Sequence, residues 1–276
     1  MTIDALTVAA ERAEAATMLA LESRAAPETV ERFGIAAAEI AGGVVLAVRE
    51  DPSQYWSKAY CLGLDTPITD AVIAEVIEFY LDNGNKMAVL PIAPSALPPD
   101  WARICARQGL AAGSFWHKLV READGELPVA ESSLRIAPVP VRDGPEWARV
   151  LMRGFGMSEE LAPMLSNALT EAGVTAFGGY DGAELVGSGT LNVVDVAGGL
   201  RVGQMAGGAT LPEYQGRGGQ SALIAARMRA AVDAGCGLLV AETGDEKPGE
   251  HNTSLHNLLR LGFRVLYKRQ NWIWRA

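Results

Sequence analysis

The run Leu211-Pro-Glu-Tyr-Gln-Gly-Arg-Gly-Gly-Gln-Ser221 constrains this chain more than any other stretch, because it leads straight into a helical pattern. Ile224, Met228, Ala231 and Val232 recur at helical spacing, and Gly235 stands where a left-handed cap would end the helix. The first turn of a helix carries N–H groups with no intrahelical acceptor, at the positive end of the macrodipole. Gly216, Gly218 and Gly219 keep side chains away from that end, so a diphosphate can approach the main chain closely. A side chain added at Gly218 is expected to intrude on such an anion.

Spacing narrows the choice of anion. A phosphate loop needs Gly-x-x-x-x-Gly-Lys-Ser/Thr, which the chain lacks. A dinucleotide fingerprint needs a third glycine where Ser221 stands, directly after a strand. Gln215-Gly216-Arg217-Gly218-Gly219-Gln220 follows Gln/Arg-x-x-Gly-x-Gly/Ala instead, preceded by Pro212-Glu213-Tyr214. It resembles the coenzyme A pyrophosphate loop of the GNAT superfamily of N-acetyltransferases. The last position, Gly or Ala in that family, is Gln220 here. The resemblance implies that these six residues and Ser221 hold acetyl-CoA. It also implies that the strand ahead of the loop splays from its neighbour, so that Gly208, Ala209 and Thr210 meet the pantetheine arm. Independently, glycines inside a strand, here Gly207-Gly208, often mark a close approach of another group.

A second segment, from Pro248-Gly249 through Asn252, Ser254 and Asn257 to Gly262-Phe263, resembles the family's Asn-x-Ser…Gly-Phe run. By that resemblance Asn252 and Asn257 become cofactor-binding candidates, with Ser254 a cap or a contact. Asn and Ser also cap helices in their own right.

Composition excludes other classes. The net charge of −9 disfavours a nucleic-acid partner, since phosphate backbones are held by Lys and Arg. The three cysteines, Cys61, Cys105 and Cys236, are scattered, and no Cys/His cluster has zinc spacing, so no metal is expected. The longest apolar run, Ile35 to Val48, is interrupted by Glu39 and two glycines, too short to span a bilayer. With no leader visible at Met1-Thr-Ile-Asp, a soluble cytoplasmic protein is expected.

The chain is long enough for two domains. Helices are expected over Ile3–Arg24, from Thr69-Asp70 to Leu81, over Trp101–Gln108, Pro145–Phe155 and Glu159–Glu171. Strands are expected at Gly43–Val48, Lys86–Ile92, Leu134–Val139, Val174–Tyr180, Leu185–Val194, Arg201–Leu211, Gly237–Ala241 and Arg264–Trp274. The helix before Gly109-Leu110 and the helix before Gly262-Phe263 share their arginine, glycine and closing hydrophobe in register, which points to an internal duplication. The polar stretch Glu122–Ser133 reads as the linker. The fold expected is a mixed α/β sheet built as two tandem GNAT-like acyl-CoA N-acyltransferase domains, residues 1–123 and 134–276. In the first, Leu64-Asp-Thr-Pro-Ile-Thr-Asp70 replaces the glycine loop with carboxylates that would repel a diphosphate. The first copy is therefore expected to be degenerate. The first helix leaves room for a homodimer contact.

Amine acylation demands a base, since a primary amine with pKa near ~10.4 is protonated at neutral pH. Glu242, at the end of the strand Gly237–Ala241, is the best candidate, with His251 and His256 as further ones. Many members of the family place a tyrosine acid four residues before the Gly-Phe pair, where this chain has Leu258. The expected activity is transfer of an acetyl group from acetyl-CoA to the amine of a small molecule or peptide. A non-catalytic acetyl-CoA sensor and a binder of another phosphorylated ligand are the alternatives.

Overall fold

The computed structural model describes residues 3–247 and 249–276; Met1, Thr2 and the Pro248 of the Pro-Gly run lie outside the described residues. Helix α1 (Ala5–Glu22) starts at Asp4, whose carboxylate accepts from the Thr7 N–H, and α2 (Pro27–Phe33) stops at Gly34 with φ 61°. The hairpin strands β1 (Ile35–Ile40) and β2 (Gly43–Val48) follow, then β3 (Lys58–Tyr60). The first half closes with α3 (Asp70–Asp82), β4 (Met87–Pro91), α4 (Trp101–Gln108) and β5 (Leu110–Glu122). The second half opens with β6 (Arg135–Pro138), α5 (Gly144–Gly154), α6 (Ala162–Leu165), β7 (Val174–Asp181), β8 (Glu184–Val196) and β9 (Leu200–Thr210). It ends with α7 (Gly219–Asp233), β10 (Leu238–Gly244), α8 (Thr253–Arg260) and β11 (Arg264–Arg275).

The expected helix over Glu159–Glu171 is a correction. Its only α-helical part is the four-residue α6, between two 3-10 turns. Pro163 lies inside the run, and the Ser166 and Thr170 hydroxyls donate to nearby carbonyls instead of leaving the backbone ladder intact. The strand β5 was not legible in the sequence. Its inner stretch is buried, but Lys118 sits within it and breaks the apolar pattern that would announce a strand.

Among the described residues eleven strands form one sheet in the order β1-β2-β3-β4-β11-β5-β10-β9-β8-β7-β6. The closing strands of the two halves are exchanged. β5 pairs with β10 of the second half, and β11 pairs with β4 of the first. The two exchanged strands are antiparallel neighbours at the centre, with Arg269 opposite Trp116 and Tyr267 opposite Lys118. The succession α3-β4-α4-β5 is repeated as α7-β10-α8-β11, and both short helices end on a left-handed glycine, Gly109 (φ 69°) and Gly262 (φ 88°).

Strand alternation sorts side chains to two faces. Leu239 and Ala241 of β10 pack with Leu223, Ile224 and Met228 of α7. Leu238 and Val240 pack on the other face with Ala9, Ala10 and Ala13 of α1. The N-terminal helix of the chain therefore covers the second half's sheet. By the same alternation, Glu242 falls on the α1 face.

Candidate active site

Gly218 has φ 74° and forms the N-cap of α7 with no side chain capping the helix. The first helical bond runs from the Ala222 N–H to Gly218 O at 3.0 Å. That leaves the N–H groups of Gly219, Gln220 and Ser221 without intrahelical acceptors. They border an open cleft of about 780 Å³, shared with Thr210 of β9 and with Asn257 and Arg260 of α8. Orphaned donors, glycines at the helix mouth and an open cleft fit a coenzyme A diphosphate. The corresponding start of α3 is closed. Its N-cap Thr69 accepts from the Val72 N–H, and Asp70 is engaged by Gln108 and Arg107.

The loop residues divide by role. Gly216 (φ 74°) faces open space. A Cβ at Gly218 would collide with the Glu131 carbonyl, so a side chain there would break the loop's seat on the linker. Arg217 turns away from the cleft, pairing bidentately with Asp181 (2.9 and 3.0 Å) and donating to Ser133. Gln215 donates to Thr210 O. Gln220 spans to α8, donating to Ser254 Oγ (2.6 Å) and accepting from Asn257. Asn252 is the N-cap of α8: its oxygen accepts from the Leu255 N–H and its amide donates to Thr243 and Gly244. Arg260 donates to Ser221 Oγ at 3.0 Å and lines the cleft, a cation that the motif did not single out.

The strand ahead of the loop does splay from a neighbour. β9 and β10 pair in parallel only from Val202/Leu238 to Met205/Ala241, and beyond that they part. On its other edge β9 is bulged against β8: the register steps from Thr190↔Ala206 to Ser188↔Ala209, leaving Gly207 and Gly208 opposite Gly189. Thus Gly208 lies in the bulge, whereas Ala209 is paired with β8; all three of Gly208, Ala209 and Thr210 line the outer cleft. Arg227 of α7 explains the glycines. Its guanidinium donates to the carbonyls of Thr190, Ala206 and Leu223, and a Cβ at Gly189 would meet it at 3.0 Å. Burial with no carboxylate beside it lowers its pKa to about 10.

A cavity of about 410 Å³ passes through this gap, reaching Gln220, Arg227 and Leu258 on the α7 face and Glu14, Met18 and Tyr55 on the α1 face. Glu242 lies in it. One carboxylate oxygen accepts from Lys118 Nζ at 2.8 Å and the other from Gln204 Nε2 at 2.7 Å. Lys118, fully buried, also reaches Glu14 (2.5 Å) and Glu11 (3.5 Å) on α1. Arg269 of β11 pairs with Glu11 (2.7 and 2.9 Å) and Glu14 (2.6 Å). Three buried carboxylates therefore share two cations, and the uncompensated charge falls on the one farthest from Arg269's bonds. Burial, then repulsion from Glu14, raises Glu242 to about 7. Glu14 goes the other way: Arg269 and Lys118 overcome its burial and hold it at about 2.

The structure thus brings Glu242 to the strand gap and Gln220, Ser221 and Asn257 to the helix mouth. His251 and His256 stack on each other at 4.3 Å, with His256 bonded to Glu246, and His251 lies on the rim of the outer cleft. Neither borders the cavity that holds Glu242. Leu258 borders it, where the resemblance places a tyrosine. Lys118, Gln204 and Glu14 were missed, because their partners are 38 to 124 residues away in the chain. Among the described residues no helix is long and apolar enough to cross a membrane.

Residues 145–263 match the model of the "Acetyltransferase (GNAT) family". No curated protein matches the sequence significantly. Among solved structures, a GCN5-related N-acetyltransferase from Kribbella flavida aligns with TM-score 0.61 and 18% identity, over 96% of this chain and 94% of that one. A tandem GNAT protein from the clavulanic acid biosynthesis pathway aligns with TM-score 0.59 and 14% identity, over 100% and 97%. A GCN5-related N-acetyltransferase from Sphaerobacter thermophilus aligns with TM-score 0.56 and 14% identity, over 96% and 91%. At such identities these likenesses carry the fold and nothing about substrate.

Proposed function

Because the chain contains a domain of the GNAT acetyltransferase family, with the fold of an acyl-CoA N-acyltransferase, we propose that it transfers an acetyl group from acetyl-CoA to a primary amine. In the same proposal residues 134–276 carry the reaction, and residues 1–123 are a copy whose helix mouth no longer receives a diphosphate. One observation carries the catalytic part. A carboxylate with pKa near 7 stands where two parallel strands part, in a cavity that opens toward the orphaned N–H groups of α7.

The N–H groups of Gly219, Gln220 and Ser221, with the Arg260 guanidinium, would hold the diphosphate. Acetyl-CoA when bound supplies the activated thioester. Glu242 takes a proton from the incoming ammonium. Gln204, whose Oε1 is buried and unpaired, offers the amine an acceptor that orients it. The amine nitrogen gains the acetyl carbon and loses two protons, one to Glu242 and one to the departing sulfur. Backbone N–H groups in the bulge at Gly207-Gly208 can donate to the negative charge that develops on the carbonyl oxygen, an interaction typically worth about 3–4 kcal/mol. A thiolate with pKa near ~8.5 needs little help to leave, which makes Leu258 tolerable in place of a tyrosine.

Leu258 also motivates the second reading, a sensor that binds acetyl-CoA without turnover. Release of free thiol from acetyl-CoA, measured over a panel of amines, separates the two. Tight binding with no release from any amine would favour the sensor.

The cradle has its own test. Ser221→Glu places a carboxylate in the first turn of α7, beside the proposed diphosphate and within reach of Arg260. The helix dipole favours that charge, so the melting temperature should stay or rise. Coenzyme A affinity measured by calorimetry should fall at least tenfold, about 1.4 kcal/mol. Unchanged affinity would remove the diphosphate from this helix mouth.

A further inference from the structure

On its α1 side the cavity is walled by both halves of the chain: Leu151 of α5 and Leu165 of α6 come from the second half, and the aromatic residues come from the first. Met18 and Leu21 come from α1, Tyr55 and Trp56 from the loop before β3, and Trp116 from the exchanged strand β5. The aromatic loop is fixed in place. Asp51 accepts from the N–H groups of Ser53 (2.8 Å), Tyr55 (2.7 Å) and Trp56 (2.9 Å). Tyr55 and Trp56 stand edge to face at 5.1 Å and 83°, and Tyr55 lies 6.2 Å from Trp116 at 39°. Together they make a corner of flat apolar faces.

Charge is distributed unequally around that corner. Lys58 Nζ rests 3.3 Å from the Tyr55 ring centre and 5.5 Å from that of Trp116, so a cation already occupies these rings. Burial lowers its pKa to about 8, which leaves it mostly charged at neutral pH. The carboxylates Glu14 and Glu242 lie at the strand gap. A second ammonium at the aromatic end would be repelled by Lys58, whereas one at the gap would meet the excess negative charge. A bound amine is therefore oriented with its nitrogen toward Glu242 and an uncharged body in the corner.

Resting on the transferase reading above, we propose that the acceptor is a monocationic arylalkyl amine, a primary amine on a short chain carrying a flat aromatic ring. The first half of the chain supplies the aromatic corner that selects the acceptor's ring.

Steady-state kinetics with acetyl-CoA and 2-phenylethylamine, putrescine or glucosamine tests this. 2-Phenylethylamine is expected to show a kcat/KM at least about tenfold above either polar amine. Trp116→Ala should lower the 2-phenylethylamine value at least about tenfold, mainly through KM, and leave coenzyme A affinity unchanged. Should that variant fail to fold, Tyr55→Ala, in a loop at the same corner, carries the same expectation. Preference for putrescine or glucosamine overturns the assignment while leaving the transferase intact, and so does selectivity unaltered in the aromatic variants. Binding of acetyl-CoA with no turnover of any amine removes the transferase reading, and the assignment with it.

Discussion

Glu242→Gln is expected to lower kcat/KM for amine acetylation at least about 100-fold, with coenzyme A affinity unchanged. The substitution preserves shape. Lys118 can still donate to the amide oxygen, and Gln204 can turn its unpaired Oε1 toward the new amide N–H, so no hydrogen bond need be lost. The melting temperature should hold or rise, because the substitution removes one charge from a cluster holding three carboxylates against two cations. An active carboxylate must be deprotonated, so activity of the unaltered enzyme should rise with pH through about 7, the value to which burial and Glu14 lift this group. The variant should lack that acid limb. The same shift has a stability sign. An acid whose folded pKa exceeds its unfolded value near ~4.3 destabilises the fold as pH rises through that interval. Full activity in Glu242→Gln, or an unshifted acid limb, would assign the base elsewhere.

Arg269→Met is expected to cost about 3–5 kcal/mol at pH 7, the usual effect of stranding a buried charge, and to lower the melting temperature by roughly 10 °C. Arg269 joins β11 to Glu11 and Glu14 of α1 through three short bonds, at the seam between the exchanged strands. Its removal leaves Lys118 as the one cation bonded to the three carboxylates, with Lys58 acting on Glu14 and Glu242 only through space. The deficit should depend on pH in a definite direction. In the intact protein Glu14 is depressed to about 2, so its contribution is complete above the unfolded value near ~4.3 and fades as pH falls toward 2. In the variant Glu14 loses that support and is destabilised as it ionises. The difference between the two proteins should therefore be greatest near neutrality and narrow below about pH 4. Thermal melts across that range decide it; a constant difference would mean lost packing rather than lost charge pairing.

Both experiments address residues that differ in legibility. Glu242 was readable because it ends an apolar strand run, and the helix mouth because glycine spacing and an apolar helical period adjoin it. The positions α4 and α8 occupy were readable from the glycines that end them, Gly109 and Gly262. Lys118 was not, since a lysine in a run such as Phe115-Trp-His-Lys-Leu-Val120 normally marks a solvated position. Glu11 and Glu14 resemble surface charges of an Ala-rich helix for the same reason. Glycine spacing alone makes Gly218 free space for an anion, but its missing side chain makes room for the Glu131 carbonyl.

By itself the sequence determined what local forces control: where helices start and stop, which helix mouth is bare of side chains, and which half of the chain carries it. Only the tertiary structure decided that β5 and β11 trade places, that the first helix lies over the second half's sheet, and that three distant carboxylates meet two cations beside the strand gap. Turn geometry and capping act over a few residues, whereas a carboxylate's pKa near 7 and the walls of a pocket arise from groups more than a hundred residues apart in the chain.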